Sequence, residues 1–125
     1  MESTTLYERL GGEKGIIAIV DDLVVAHLSN PGISARFLPY LERPEYVEQI
    51  KKHTVNFMCA GAGGSQQYGG RDMTTTHRGM NINATEYMHA IDDAMGVLDK
   101  HNMTEETKKD VLAIFYSLKD QIIGK

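Results

Sequence analysis

Apolar residues recur at intervals of three and four along most of this chain, with polar residues between them. That period predicts helices and not strands. Ile16, Ile17, Val20, Leu23, Val24, His27 and Leu28 would share one face of a helix from Glu13 to Leu28, which Asn30-Pro31-Gly32 stops. Before it, Thr4 or Thr5 can cap a short helix that Gly11-Gly12 ends. Ile33 to Leu38 reads as a short turn of helix, followed by a break at Pro39-Tyr40 and an irregular connector from Leu41 to Pro44. Pro44 suits the first turn of the next helix, and the dipole favours Glu45 beside it. That helix is expected to reach Ala60, with Tyr46, Ile50, Thr54 and Phe57 as its stripe, Val47 and Met58 beside them, and His53 on the flank. Asn83-Ala84-Thr85-Glu86 has the form of a capping box, with Asn in the hydroxyl position. It opens a helix to Lys100 whose inner face is Tyr87, Ile91, Ala94, Met95 and Leu98. Thr104 caps the last helix, Glu105 and Glu106 suit its positive end, and Val111, Leu112, Ile114, Phe115, Leu118 and Ile122 are its buried stripe. No stretch alternates as a strand and no internal repeat occurs, so the fold class is all-α.

One long interruption breaks this regularity. Gly61-Ala62-Gly63-Gly64 ends a helix abruptly, polar Ser65-Gln66-Gln67 follows, and only a brief helix near Thr74 to Arg78 is expected before Ile82. Helix-to-helix connections usually span ~2–8 residues, and this one is about twenty. A functional loop or a bound cofactor would stabilise such a stretch.

Composition narrows the choices. The 125 residues fit one domain. The net charge is −4 and there is no basic run, so nucleic acid is excluded as a partner. Cys59 is the sole cysteine and can form no internal disulfide, which suits a reducing compartment such as the cytoplasm. The N-terminus lacks the features of a signal peptide, and no apolar run approaches the ~18 residues of a membrane span. No glycine-flanked serine suggests a nucleophile elbow, and no close set of His and Cys suggests structural zinc. Asp21-Asp22 and Asp92-Asp93 are adjacent pairs, which face different sides of a helix and make no carboxylate dyad.

The chemistry concentrates in Tyr68-Gly69-Gly70-Arg71-Asp72-Met73-Thr74-Thr75-Thr76-His77-Arg78-Gly79. His77 has Met73 four residues back and Met80 three residues on. An imidazole among thioethers, with Arg71 and Arg78 nearby, suits an iron porphyrin whose carboxylates need basic partners. A histidine held for structure alone is the plain alternative.

The wording of this segment, Tyr-x-Gly-Arg-x-Met and then His-Arg-Gly, resembles the proximal segment of the truncated haemoglobins. The opening Leu6-Tyr7-Glu8-Arg9-Leu10-Gly11-Gly12 and the run Val20-Asp21-Asp22 resemble that family too, and group I within it. The resemblance implies a two-over-two helical sandwich around non-covalent haem b, with His77 as the proximal ligand. It implies that Phe37 packs flat on the haem and that Phe57, Tyr68 and Met73 join the pocket. Lys52, Arg71 and Arg78 are the candidates for the propionates. Family members commonly hold bound oxygen with a tyrosine and a glutamine; the matching positions here read Val24 and Thr54, and Ile50 fills a third position that is often polar. His53 matches the position where some relatives carry a second axial histidine, so it is a candidate for closing the iron or for hydrogen-bonding a bound ligand, with a solvent-edge histidine beside the haem carboxylates as the plain alternative. The resemblance implies O2, NO or CO as ligands, a monomer, and a binding role, a redox role (nitric oxide dioxygenation with a reductase, or nitrite or peroxide chemistry) or electron transfer. A helical interaction module that uses its groove for a partner is the non-haem alternative.

The other histidines carry lesser expectations. His89 should be solvated, His101 should sit at a helix end, and His27 should pack or bond to the backbone.

Overall fold

Six helices follow one another in the computed structural model, which describes residues 5–38, 42–64, 68 and 73–125. They are α1 (Leu6–Arg9), α2 (Gly12–Ser29), α3 (Pro44–Gly61), α4 (Met73–His77), α5 (Ala84–Lys100) and α6 (Glu105–Ile122), with a 3-10 turn at Ser34–Arg36. Among the described residues the β pairing is one isolated bridge between Ile82 and Ile123. The all-α expectation therefore holds.

The caps read from sequence form as hydrogen bonds. Thr5 Oγ1 accepts from the Glu8 amide at 3.1 Å, and Thr104 Oγ1 from the Thr107 amide at 3.2 Å. Asn83 and Glu86 make the reciprocal capping box, and Pro44 stands in the first turn of α3. Each such bond satisfies a donor that the helix itself leaves open.

The sandwich is set by α2, which packs on both α3 and α5, while α6 packs on α4 and α5. Its buried set is Ile16, Ile19, Val20 and Leu23, a pure three-four-seven spacing. The expected face was slightly rotated from this one. Ile19 was absent from it, and Ile17, which it included, is 41% exposed. A similar rotation occurs in α3. Val55 and Cys59 face the core there, whereas Ile50, Thr54 and Phe57 are half-buried and Tyr46 is 40% exposed. The predicted stripe of α3 is thus a second, separate apolar face. In α5 Val97 joins the expected Tyr87, Ile91, Ala94 and Leu98, and Met95 is half-buried. In α6 Val111 and Ile122 are buried with Thr107, while Leu112 is 40% exposed.

The turn between α1 and α2 depends on close backbone approach. Gly11 has φ 95°, and Gly15 lies so near Leu10 that an added Cβ would meet the Leu10 carbonyl oxygen at 2.1 Å. Arg9 then ties this end to α6, donating to Asp110 at 2.6 Å and to buried Thr107 at 3.3 Å. A smaller cluster of Tyr87, Ile91 and Ile122 supports Met73 at the start of α4. Tyr87 donates its hydroxyl to the Phe115 carbonyl at 2.6 Å, and burial pushes its pKa up to about 12.

No described helix is long and apolar enough to cross a membrane.

Candidate functional site

His77 is the last residue of α4, half-buried, and its Nδ1 donates to the Met73 carbonyl at 2.8 Å. A carbonyl only accepts, so Nδ1 carries a proton, and in the neutral ring the lone pair is on Nε2. The ring is thereby locked in orientation and tautomer by its own helix. Met73 is the residue four back, so the sequence spacing and the hydrogen bond are one fact. The chain then reverses: Met80 donates its amide to His77 O at 3.1 Å, and Gly79 and Asn81 take φ 87° and 49°. Glycine adopts that region freely, which explains Gly79 after α4.

A clasp that sequence reasoning missed holds this reversal. Arg36 donates to the Met80 carbonyl at 2.6 Å and to Glu86 Oε1 at 2.8 Å. It links the 3-10 turn, the segment after His77 and the start of α5. Fifty positions separate Arg36 from Glu86, and no local signal announces such a pair. The Arg36 hydrogen bond, and then the Asn83 amide, hold the Glu86 carboxyl below its ordinary value of 4.5. As pH falls, the unfolded chain takes up that proton before the folded one does. The pair therefore contributes its full stability above the ordinary value and loses it as pH drops through the lower folded value. Thermal unfolding across the acid range should show Glu86→Gln with a flatter decline than wild type, and Arg36→Ala should lose about 1–2 kcal/mol near neutrality. An identical acid slope in Glu86→Gln would refute this linkage.

A second candidate wall is α3. Ile50, His53, Thr54 and Phe57 are half-buried along it. Thr54 donates its hydroxyl to the Ile50 carbonyl at 2.8 Å, so its proton is committed to its own helix. Tyr68 stands edge-on to Phe57, centroids 5.1 Å apart, and edge-on to His53 at 6.3 Å. Val24 on α2 and Phe37 after the 3-10 turn are also half-buried. Lys52 and Arg78 are exposed, as groups meant to meet carboxylates at a rim can be. Arg71 lies outside the described residues.

The other histidines meet expectation in part. His27 packs, its ring stacked on Phe37, but its hydrogen bond goes to a carboxylate and not the backbone: Nδ1 donates to Asp93 at 2.7 Å. His89 is half-buried, not solvated; its ring lies against Gly32, where an added Cβ would meet it at 2.6 Å. The loop after α2 covers that side of α5, which periodicity within α5 does not reveal. His101 caps α5 as expected and donates to Asp22 at 2.8 Å.

This set fits an iron porphyrin. His77 offers Nε2 once its ring is neutral, and the aromatic, thioether and aliphatic candidates on α2, α3, α4 and after the 3-10 turn are half-buried. Among the described residues no three His, Cys, Asp or Glu side chains gather to hold a bare ion. An open groove of about 330 Å³ between α2 and α5, lined by Asp22, Val25, Ala26, Asp93, Val97 and Lys100 among others, touches none of the residues named for the porphyrin.

Residues 5–123 match the family model of bacterial-like globins. The chain belongs to the bacterial-like globins. Within that family it is similar to the group 1 truncated hemoglobin of Nostoc commune, 29% identical over 98% of this chain and 99% of the relative. It is 25% identical to that of Tetrahymena pyriformis, over 97% of this chain and 96% of the relative. The Fe(III) structure of the Tetrahymena protein superposes with a TM-score of 0.87 at 24% identity, covering 98% of this chain and 100% of that one. The group II truncated hemoglobin of Bacillus anthracis superposes at 0.83 with 17% identity, over 100% of this chain and 95% of that one. The truncated-haemoglobin resemblance carried by the His77 segment and the opening is borne out.

Proposed function

We propose that this bacterial-like globin binds haem b at His77 and takes up O2 or another diatomic gas reversibly. The observation that carries this reading is the bond from His77 Nδ1 to the Met73 carbonyl, because it fixes the ring's direction and leaves Nε2 as the nitrogen that can bind iron. Haem iron held by one imidazole supplies a sixth position for O2, NO or CO. Phe37, Phe57, Tyr68, Met73, Val24 and Ile50 would exclude water from a bound porphyrin, and Lys52 and Arg78 would meet its carboxylates, with Arg71 a further candidate by sequence. The same reading takes residues 1–125 as one domain, a cytoplasmic monomer served by an unidentified reductase.

His53 is the polar group that this wall keeps. Val24, Ile50 and Phe57 have no side-chain donor, and the Thr54 proton is spent on Ile50. A pocket so poor in donors holds a polar ligand weakly, because nothing offsets the charge that develops on it. His53 is half-buried and touches Tyr68 only by its edge. We assign it as a second residue that would hold the iron when no gas is present. Its departure would then gate binding, and the apparent affinity would fall by the open fraction. The ferric protein is expected to give a low-spin absorption spectrum at neutral pH, and His53→Ala a high-spin one. A high-spin wild type would rule out closure by His53 and leave the His77 assignment standing.

A further inference from the structure

Phe37 is held from behind by a chain of contacts that reaches α5. The His27 ring lies parallel to the Phe37 ring, with centroids 5.3 Å apart and planes 12° apart. His27 Nδ1 donates to Asp93 Oδ2 at 2.7 Å. Asn30 Nδ2 donates to Asp93 Oδ1 at 3.0 Å, and Asn30 Oδ1 accepts from the Gly32 amide at 2.9 Å. One carboxylate therefore fixes both the imidazole and the start of the turn that carries Phe37. The side chains of His27 and Asp93 are each only 13% exposed. Withdrawing a carboxylate from water is costly, and two well-packed apolar residues would often fill such a seam as well or better. What an apolar pair lacks is direction: one carboxylate oxygen accepting from Nδ1 fixes where that edge of the imidazole points, the other anchors Asn30, and the imidazole face then meets the phenyl ring nearly parallel.

We propose that Asp93 and His27 are positioning residues for Phe37. The carboxylate orients the imidazole, and the imidazole face orients the phenyl ring. In its last step, the porphyrin lying on Phe37, this rests on the haem reading above; the first two steps concern the chain alone. A stacked pair contributes about 0.5–1.5 kcal/mol, so its loss should speed haemin release by roughly two- to tenfold.

The chain has three phenylalanines, so ring-labelled Phe gives three sets of NMR signals, assigned by substitution. In the haem-free protein, Asp93→Ala should shift and broaden the Phe37 signals while Phe57 and Phe115 stay in place, and Asp93→Asn, which keeps an acceptor for His27, should restore them. Where Asp93→Ala does not fold, His27→Gln removes the stacked ring and should move Phe37 alone. Haemin-loaded Asp93→Ala should pass haemin to excess apomyoglobin roughly two- to tenfold faster than wild type. Unchanged Phe37 signals would overturn the proposal, as would an equal shift of all three rings. If wild type retains no haemin while Phe37 still moves in Asp93→Ala, the haem reading fails and the positioning role stands.

Discussion

His77→Ala is expected to lose haemin more than about a hundredfold faster than wild type, since losing merely an outer partner of a metal ligand costs about 10–100-fold. The side chain supplies the nitrogen, and α4 supplies its direction through the Met73 carbonyl at 2.8 Å. Because that partner is backbone, no side-chain change at Met73 removes it, and the effect of His77→Ala is on the ligand itself. The fold should survive. His77 is half-buried at the end of a five-residue helix and lies outside the set of fully buried side chains. The decisive measurements are the absorption spectrum of the haemin complex and the rate of haemin transfer to apomyoglobin. Added imidazole should return the wild-type spectrum by filling the space the side chain leaves. If His77→Ala holds haemin as long as wild type, with the same spectrum, the proposed function fails.

Gly15→Ala should be the most damaging added methyl among the glycines whose surroundings are described. Its Cβ would stand 2.1 Å from the Leu10 carbonyl oxygen and 3.0 Å from the Leu10 carbonyl carbon. Both atoms are backbone, so no rotamer change relieves the overlap. Relief requires α1 and α2 to move apart, and Leu10 and Ile16 beside them are 1% and 0% exposed. Overpacking of a tight core commonly costs about 1–3 kcal/mol; here the yielding element is the chain itself, and a loss above about 3 kcal/mol is expected. Against a typical stability of about 5–15 kcal/mol, that lowers the unfolding midpoint by many degrees. Gly61→Ala is the matched control, since nothing lies within 4 Å of the added carbon. Urea or thermal unfolding showing equal stability for the two variants would contradict the close-approach argument.

Much of this molecule was legible residue by residue. Thr5, Asn83 and Thr104 cap helices as their types predict, because a cap is a contact across three positions. Pro44 and the glycines mark turns for the same local reason. The faces of α2 and α3 were read one step off. Periodicity finds a face, but a helix sandwiched between two neighbours, as α2 is between α3 and α5, has its buried arc chosen by both. For α3 the sequence carried two apolar arcs, and only packing told Val55 and Cys59 apart from Ile50, Thr54 and Phe57.

Local sequence alone determined the helices, their ends, the long interruption before α5, and the histidine four residues after Met73, since each depends on neighbours within a turn or two. Tertiary structure alone decided that Arg36 clasps Glu86 and the Met80 carbonyl, and that Asp93 reaches His27 behind Phe37. These partners lie 50 and 66 positions apart, and a charged residue's type does not say which distant opposite charge the fold will bring within 3 Å of it.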